Sequence, residues 1–259
     1  MIREGSGEPL LLLHGVTSNE RVWRHVVPLL APRHDVIAPG ALGHRGGREA
    51  RSRPVRIEQI VDDTERTLDE LGIERAHIGG NSLGGWVALE LARRGRALTV
   101  CCLSPAGLWQ EGSEDHELRI ERLASSRRDA IRARRLMPFL FRFARVRRYA
   151  LSLNAVHGER VSREDLIDGA DGVIACQVLD DVLATDETVP LLDPAPCPIT
   201  IAWSGEDRIF PPQRFEPLGR ALVPQATVKV LPGVGHVPMF DDPGLTAQTI
   251  LETTSASQT

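Results

Sequence analysis

Hydrophobic residues come in short blocks along the first hundred positions. Pro9-Leu10-Leu11-Leu12-Leu13 is an unbroken apolar run, which suits a strand covered on both faces. Asp35-Val36-Ile37-Ala38, Ala76-His77-Ile78-Gly79 and Leu98-Thr99-Val100-Cys101-Cys102-Leu103 repeat that signal. Between them the spacing turns helical. Ile57, Ile60, Val61, Thr64 and Leu68 mark a helix over Pro54 to Leu71, closed by Gly72. Leu83, Trp86, Val87 and Leu91 mark another from Ser82 to Arg94, ended by Gly95. Strands separated by helices predict a parallel sheet with helices on both faces.

The pattern breaks after Leu103. From Leu108 to about Pro190 no strand signal stands out. Arg119 to Leu136, Pro138 to Leu153 and Asp165 to Leu183 read as helical, the first two heavily basic. Strands return with Pro198 to Trp203 and Thr227 to Leu231, and helices with Gln213 to Leu222 and Pro243 to about Leu251. The expected fold class is α/β, with a mostly parallel central sheet, helices on both faces and an inserted helical cap. The expected boundaries are 1–107 for the first part of the core, 108–190 for the cap and 191–259 for the second part of the core. A chain of 259 residues can build one core with such an insertion.

Composition narrows the function classes. Hydrophobic residues make up 42% and charged residues 25%, an ordinary globular balance. The net charge of −4 gives no global electrostatic case for nucleic acid or membrane. Cys101, Cys102, Cys176 and Cys197 form no C-x-x-C pair and read as buried thiols of a cytoplasmic protein. The N-terminus lacks a signal-peptide pattern, and no apolar run approaches the ~18 residues of a membrane span. The small, polar tail from Thr253 to Thr259 reads as frayed.

The candidate chemistry centres on Gly80-Asn81-Ser82-Leu83-Gly84, a G-x-S-x-G turn between a strand and a helix. A serine at such a turn needs strained backbone angles, and flanking glycines remove the Cβ atoms that would clash. A serine hydroxyl is a weak nucleophile and needs a base. Val234-Gly235-His236-Val237-Pro238 offers one just past a strand. Gly205-Glu206-Asp207-Arg208 offers an acid just past another, with Glu206 as the neighbouring rival. The order Ser82, Asp207, His236 suits three side chains on one carboxyl edge of a parallel sheet. Backbone N–H groups of Leu83 and Val16 are the candidate oxyanion donors, Val16 in the loop after the first strong strand. His14 reads as a brace for that loop rather than a second base.

These residues together resemble the α/β-hydrolase family, in its serine-nucleophile, helical-cap subgroup. The matching positions are His14-Gly15, Trp23, Ala38-Pro39, Gly43-His44, Gly80 to Gly85, Gly205 to Ile209 and Gly233 to His236. They span Leu10 to Pro243 apart from the cap. The resemblance implies the α/β-hydrolase fold, a catalytic triad in which Asp207 is the acid, a nucleophile elbow and no cofactor. It departs from the family pattern in the loop Pro39-Gly40-Ala41-Leu42-Gly43-His44-Arg45-Gly46-Gly47, where the usual acid is missing. Ser82 argues against the aspartate-nucleophile members, epoxide hydrolases and haloalkane dehalogenases. Asn81 points weakly toward carbon–carbon bond hydrolases.

In that architecture the insertion roofs the site. Leu136, Phe139, Leu140 and Phe143 fall on one helical face, with Met137 and Phe141 elsewhere. Packing of that face onto the core is the favoured reading over substrate contact. With Trp109, Phe210 and Val237 it forms the candidate substrate pocket, for a small to medium, largely apolar molecule. Arg127, Arg128, Arg132, Arg134, Arg135, Arg142, Arg145, Arg147 and Arg148 read as a solvated face, an attraction for an anionic substrate, or a membrane-touching surface. The expected activity is that of an esterase-like serine hydrolase with a small-molecule substrate, no metal, no nucleic acid and no stable membrane association. The alternatives on the same triad are a carbon–carbon bond hydrolase, a lyase and a cofactor-free perhydrolase; the non-enzyme alternative is a small-ligand receptor. The sequence sets no oligomeric state.

Overall fold

The computed structural model describes residues 1–109 and 127–256. One sheet of seven strands runs in the order β1-β3-β2-β4-β5-β6-β7. The strands are β1 (Ile2–Glu4), β2 (Glu8–Leu13), β3 (His34–Ala38), β4 (Ala76–Asn81), β5 (Ala97–Leu103), β6 (Ile199–Ser204) and β7 (Thr227–Leu231). Every neighbouring pair is parallel except β1 with β3. The mostly parallel sheet is the one the alternation predicts. The antiparallel edge strand β1 is an addition: three residues carry no readable period. Two hydrogen bonds of 3.0 and 2.7 Å from Arg3 to Asp35 fasten it to β3.

The apolar runs are continuous because both faces of the sheet are covered. Leu11 and Leu13 join one buried cluster, with α2 (Ile57–Glu70) and α3 (Leu83–Arg93). Leu10 and Leu12 join the opposite one, with α1 (Val27–Leu30) and the buried residues of the C-terminal helix. Cys102 and Cys101 divide between the faces in the same way. Burial pushes the Cys101 thiol up to about 12. All four thiols are free; Cys197 is half-buried rather than buried as expected.

Between β5 and β6 the described residues are helical. Residues 127–133 form α4, followed by α5 (Met137–Leu140), α6 (Ala144–Ala150), α7 (Arg163–Ala175) and α8 (Leu179–Ala184). The single helix expected over Pro138 to Leu153 is instead short helices joined by turns, and the one over Asp165 to Leu183 breaks at Cys176-Gln177-Val178. Much of the helix expected from Arg119 lies outside the described residues. The chain closes with α9 (Pro212–Leu222), α10 (Pro238–Asp241) and α11 (Pro243–Ser255). The last helix outruns its expected end, because Thr253 and Thr254 are buried rather than frayed; 257–259 lie outside the described residues. No helix among the described residues is long and apolar enough to cross a membrane.

Candidate active site

The elbow is built as its glycines require. Asn81 ends β4, Leu83 begins α3, and Ser82 between them has φ 54° and ψ −117°. Few residues adopt such angles unforced, so the neighbours must hold them. The Ser82 N–H donates to the Leu103 carbonyl at 3.0 Å. The Ser82 carbonyl accepts from Gly85 and Ala106 at 2.9 and 3.0 Å. A Cβ on Gly80 would run into the Gly84 carbonyl, and one on Gly84 into the Leu13 carbonyl. The start of α3 sets its positive dipole end at Ser82.

Asp207 and His236 meet at the same edge, in the turns after β6 and β7. The Asp207 side chain is fully buried, and its Oδ2 lies 2.8 Å from His236 Nδ1. A carboxylate only accepts, so Nδ1 carries the proton and Nε2 is left as the acceptor. Asp207 Oδ1 accepts the Ile209 and Phe210 N–H groups at 2.7 and 2.8 Å. Burial pushes the carboxyl pKa up, but the His236 ring and these hydrogen bonds outweigh it and hold the group below its ordinary value. Glu206 is exposed, whereas Asp207 is buried.

Two positioning residues escaped the sequence reading. Asn81 Nδ2 donates to the carbonyls of Leu103 and His236, at 3.0 and 2.9 Å. The residue preceding the serine therefore ties down the histidine. Asp241 accepts N–H groups from Gly235 at 2.8 Å, Val156 at 3.0 Å and His157 at 2.7 Å. One carboxylate thus joins the histidine loop to the inserted segment, and Val237 N–H adds a bond of 2.8 Å to the Asn154 carbonyl. The only signal for Asp241 was an acidic pair before Pro243, which reads as a helix cap; Asp242 does that work, through Leu245 N–H.

The loop after β2 lies against the elbow. A Cβ added to Gly15 would sit 3.2 Å from Ser82 Cβ, so the loop that carries Val16 passes beside Ser82. Leu83 is the first residue of α3, where the N–H has no partner within the helix. His14 braces this loop: Nδ1–H donates to the Gly15 carbonyl at 2.9 Å and Nε2 accepts the Ala41 N–H at 3.1 Å. Burial lowers its pKa to about 4. His44, edge-on to it at 5.1 Å, is lowered to about 3 by burial and by His14. Both rings are neutral struts. From the insertion, Gly172 of α7 packs on the Thr17 carbonyl, and Asp168 accepts from Asn19 at 3.0 Å and Arg21 at 3.2 Å and pairs with Arg45.

The expected pocket residues separate into two groups. Phe210 is buried with its ring edge-on to His236 at 5.2 Å, and half-buried Trp109 stands edge-on to Trp86 at 5.2 Å. Val237 follows His236 and is half-buried. The expected face on the insertion is corrected. Leu136, Phe139 and Phe143 are 60%, 58% and 46% exposed, and Leu140 is half-buried. Met137 and Phe141 are the buried pair, packed with Leu151, Val161 and Leu166. The physical reason is that α5 has four residues, so a period read across the whole run crosses turns and selects the wrong side. A surface groove of about 690 Å³ beside α2, lined by Arg48, Asp62, Arg66 and Glu70 among others, holds none of the candidate catalytic residues.

The α/β-hydrolase family model matches residues 10–249. The chain belongs to that family. It is an enzyme with the α/β-hydrolase fold. It is 37% identical over 202 residues to epoxide hydrolase EphH of Mycobacterium tuberculosis, covering 71% of this chain and 88% of that one. Among solved structures it resembles a thermophilic esterase from Thermogutta terrifontis, with TM-score 0.74, 24% identity and coverage of 100% and 93%. It also resembles 2-hydroxy-6-oxo-6-phenylhexa-2,4-dienoate hydrolase from a Rhodococcus species, with TM-score 0.73, 19% identity and coverage of 95% and 90%. At those identities the structural likenesses show the fold alone.

Proposed function

We propose that this hydrolase cleaves a carboxylic ester or related acyl bond of a small to medium, largely apolar substrate through an acyl-enzyme on Ser82. The observation that carries the reading is the joined geometry of the edge. Ser82 sits on a strained elbow, Asp207 holds His236 by Nδ1, and Asn81 ties the His236 carbonyl beside the serine. In this mechanism His236 Nε2 takes the Ser82 proton as Oγ attacks the acyl carbon. The Leu83 and Val16 N–H groups hold the oxyanion. His236 then protonates the leaving group and activates water against the acyl-enzyme. Trp109, Phe210 and Val237 supply the apolar wall. Four free thiols fit a reducing, cytoplasmic setting.

Two neighbouring chemistries fit less well. The name of the Mycobacterium relative points to epoxides. A serine that opens an epoxide leaves an ether, which water does not release, whereas a carboxylate leaves a hydrolysable ester. Asn81, the pointer toward carbon–carbon bond cleavage, has its amide hydrogens engaged by two backbone carbonyls. The deciding experiment is labelling by a fluorophosphonate read as intact mass, followed by a panel of esters, thioesters, lactones and epoxides. Labelling and ester turnover that vanish in Ser82→Ala support the reading. A folded wild-type protein that takes no label and turns over none of the acyl substrates refutes it.

A further inference from the structure

From 130 to 158 the chain contains no aspartate or glutamate, yet seven arginines fall between Arg132 and Arg148. Three of them are used internally. Arg134 pairs with Asp171, Arg147 donates to carbonyls including that of Phe141 at 3.0 Å, and Arg148 reaches Glu159 at 4.0 Å. Arg132, Arg135, Arg142 and Arg145 are exposed and make no ion pair among the described residues. Leu136, Phe139 and Phe143 are exposed in the same stretch of chain. The two phenylalanine rings are 5.8 Å apart, and the Arg142 guanidinium lies over both, at 5.0 and 5.1 Å. This is an apolar tip with one guanidinium over its rings and three further exposed arginines close by in the chain, on the side of α5 away from the small core of the insertion.

We infer that this face docks reversibly on an anionic phospholipid surface. The charge selects the partner. An acidic surface meets four exposed guanidinium groups that make no ion pair among the described residues, and the chain's overall charge of −4 makes the rest of the molecule more negative than this patch. The molecule therefore approaches such a surface with this face forward. A second copy of the chain is a poor occupant, since a two-fold contact sets the same arginines against themselves. A nucleic-acid backbone would satisfy the arginines but offers no apolar sink for Leu136, Phe139 and Phe143. A bilayer offers phosphate to the arginines and acyl chain to the tip. This inference is independent of the acyl-hydrolase reading.

The test is flotation of the full chain with vesicles, either phosphatidylcholine alone or equal parts phosphatidylcholine and phosphatidylglycerol, at low and high salt. Binding to the phosphatidylglycerol vesicles alone, lost at high salt, is the expected result. Near an anionic leaflet each arginine is worth about fivefold in partitioning. Arg132→Glu/Arg135→Glu/Arg142→Glu should therefore lower the partition coefficient about a hundredfold or more. Phe139→Ser/Phe143→Ser should weaken it further than salt alone explains. All five positions are exposed, and a matched thermal melt checks folding. No binding at low salt overturns the inference, as does equal binding to neutral vesicles or indifference to the charge reversal. A dimer, or retention on DNA, that the triple variant abolishes while vesicle binding is absent also overturns it.

Discussion

The core and the inserted segment are held together by different forces. The core buries two continuous apolar clusters, one on each side of the sheet, containing side chains such as Leu10, Leu11, Ile37, Trp86 and Trp203 at 0–1% exposure. The insertion buries a small cluster around Met137, Phe141, Leu151 and Leu166. Its end from Cys176 through α8 is apolar and shares the core cluster, with Cys176, Val178, Leu179, Val182 and Leu183 buried in it. The part from α5 to α7 is tied to the core by polar contacts: Asp168 to Asn19, Arg21 and Arg45, Asp165 to Arg24, and Asp241 to the backbone of both. Close-packed interiors fix geometry, whereas ion pairs at a surface adapt at little cost. The candidate catalytic groups therefore sit where the backbone is over-determined, and the segment from α5 to α7, held to the core by polar contacts, is the part that varies most cheaply.

The sharpest way to break that division is to remove the nucleophile. Ser82→Ala should lower kcat by about 10⁴ or more and abolish fluorophosphonate labelling, with the melting temperature preserved. Asp207→Asn should cost about 10³ or more in kcat, because the amide can no longer hold Nδ1 protonated and Nε2 free. Loss of activity confined to these core positions would support the division. Comparable losses from Asp168→Asn, on the insertion, would show that the latch belongs to the chemistry.

Acid separates the regions by pH. His14 and His44 are neutral in the folded core, with pKa values lowered to about 4 and about 3, against 6.5 for the unperturbed group. Below pH 6.5 the unfolded chain therefore binds protons that the folded chain refuses. Stability from these rings is whole above pH 6.5 and is lost as the pH falls toward 4. His14 alone accounts for about 3 kcal/mol across that window. The insertion behaves differently. Asp171 beside Arg134 and Asp181 beside Arg53 are held below 3.8, so their contributions persist until the pH falls through those lower values. Urea midpoints between pH 7 and 4.5 should drop in the wild type and drop less in His44→Gln. A flat profile would mean the two rings are not the struts described.

Which parts were legible follows from the same contrast. Leu10 to Leu13 and Val100 to Leu103 announced their strands because each residue faces one of two apolar layers. Ser82, Asp207 and His236 stood out because glycines stand at fixed offsets beside them, where a Cβ would crowd neighbouring backbone. The insertion offered no such rule. Leu136, Phe139 and Phe143 share a helical period but not one helix, and short turns rotated them outward. Asp241 was illegible for another reason: its partners Val156 and His157 lie 85 and 84 residues away, and they are backbone groups that any sequence supplies.

Asp241 is where the two regions can be pulled apart directly. Asp241→Ala leaves three N–H groups without their acceptor, at about 1 kcal/mol each where they stay dry, so a loss of about 2–3 kcal/mol in stability is expected. Because Gly235 precedes the histidine, kcat should fall about tenfold while KM changes less. Asp241→Asn keeps one acceptor oxygen and should recover part of both. An equal fall in stability with an unchanged kcat would make Asp241 a tie for the insertion alone, with no hold on His236.

The smallest expected effect is also the one most informative about the insertion. Phe139→Ser should change stability by less than about 0.5 kcal/mol, since the ring is 58% exposed and packs mainly against Phe143 and Arg142. Phe141→Ala, two residues on and 6% exposed, should cost about 3 kcal/mol or more. Leu12→Ala, at 0% exposure in the core, should fall in the same range. If Phe139→Ser proved as costly as Phe141→Ala, the ring would have to be packed in solution, and the period of the sequence would have identified the right face. If both prove cheap while Leu12→Ala is not, the small cluster around α5 to α7 unfolds as a separate and weaker unit, while α8 stays packed in the core cluster.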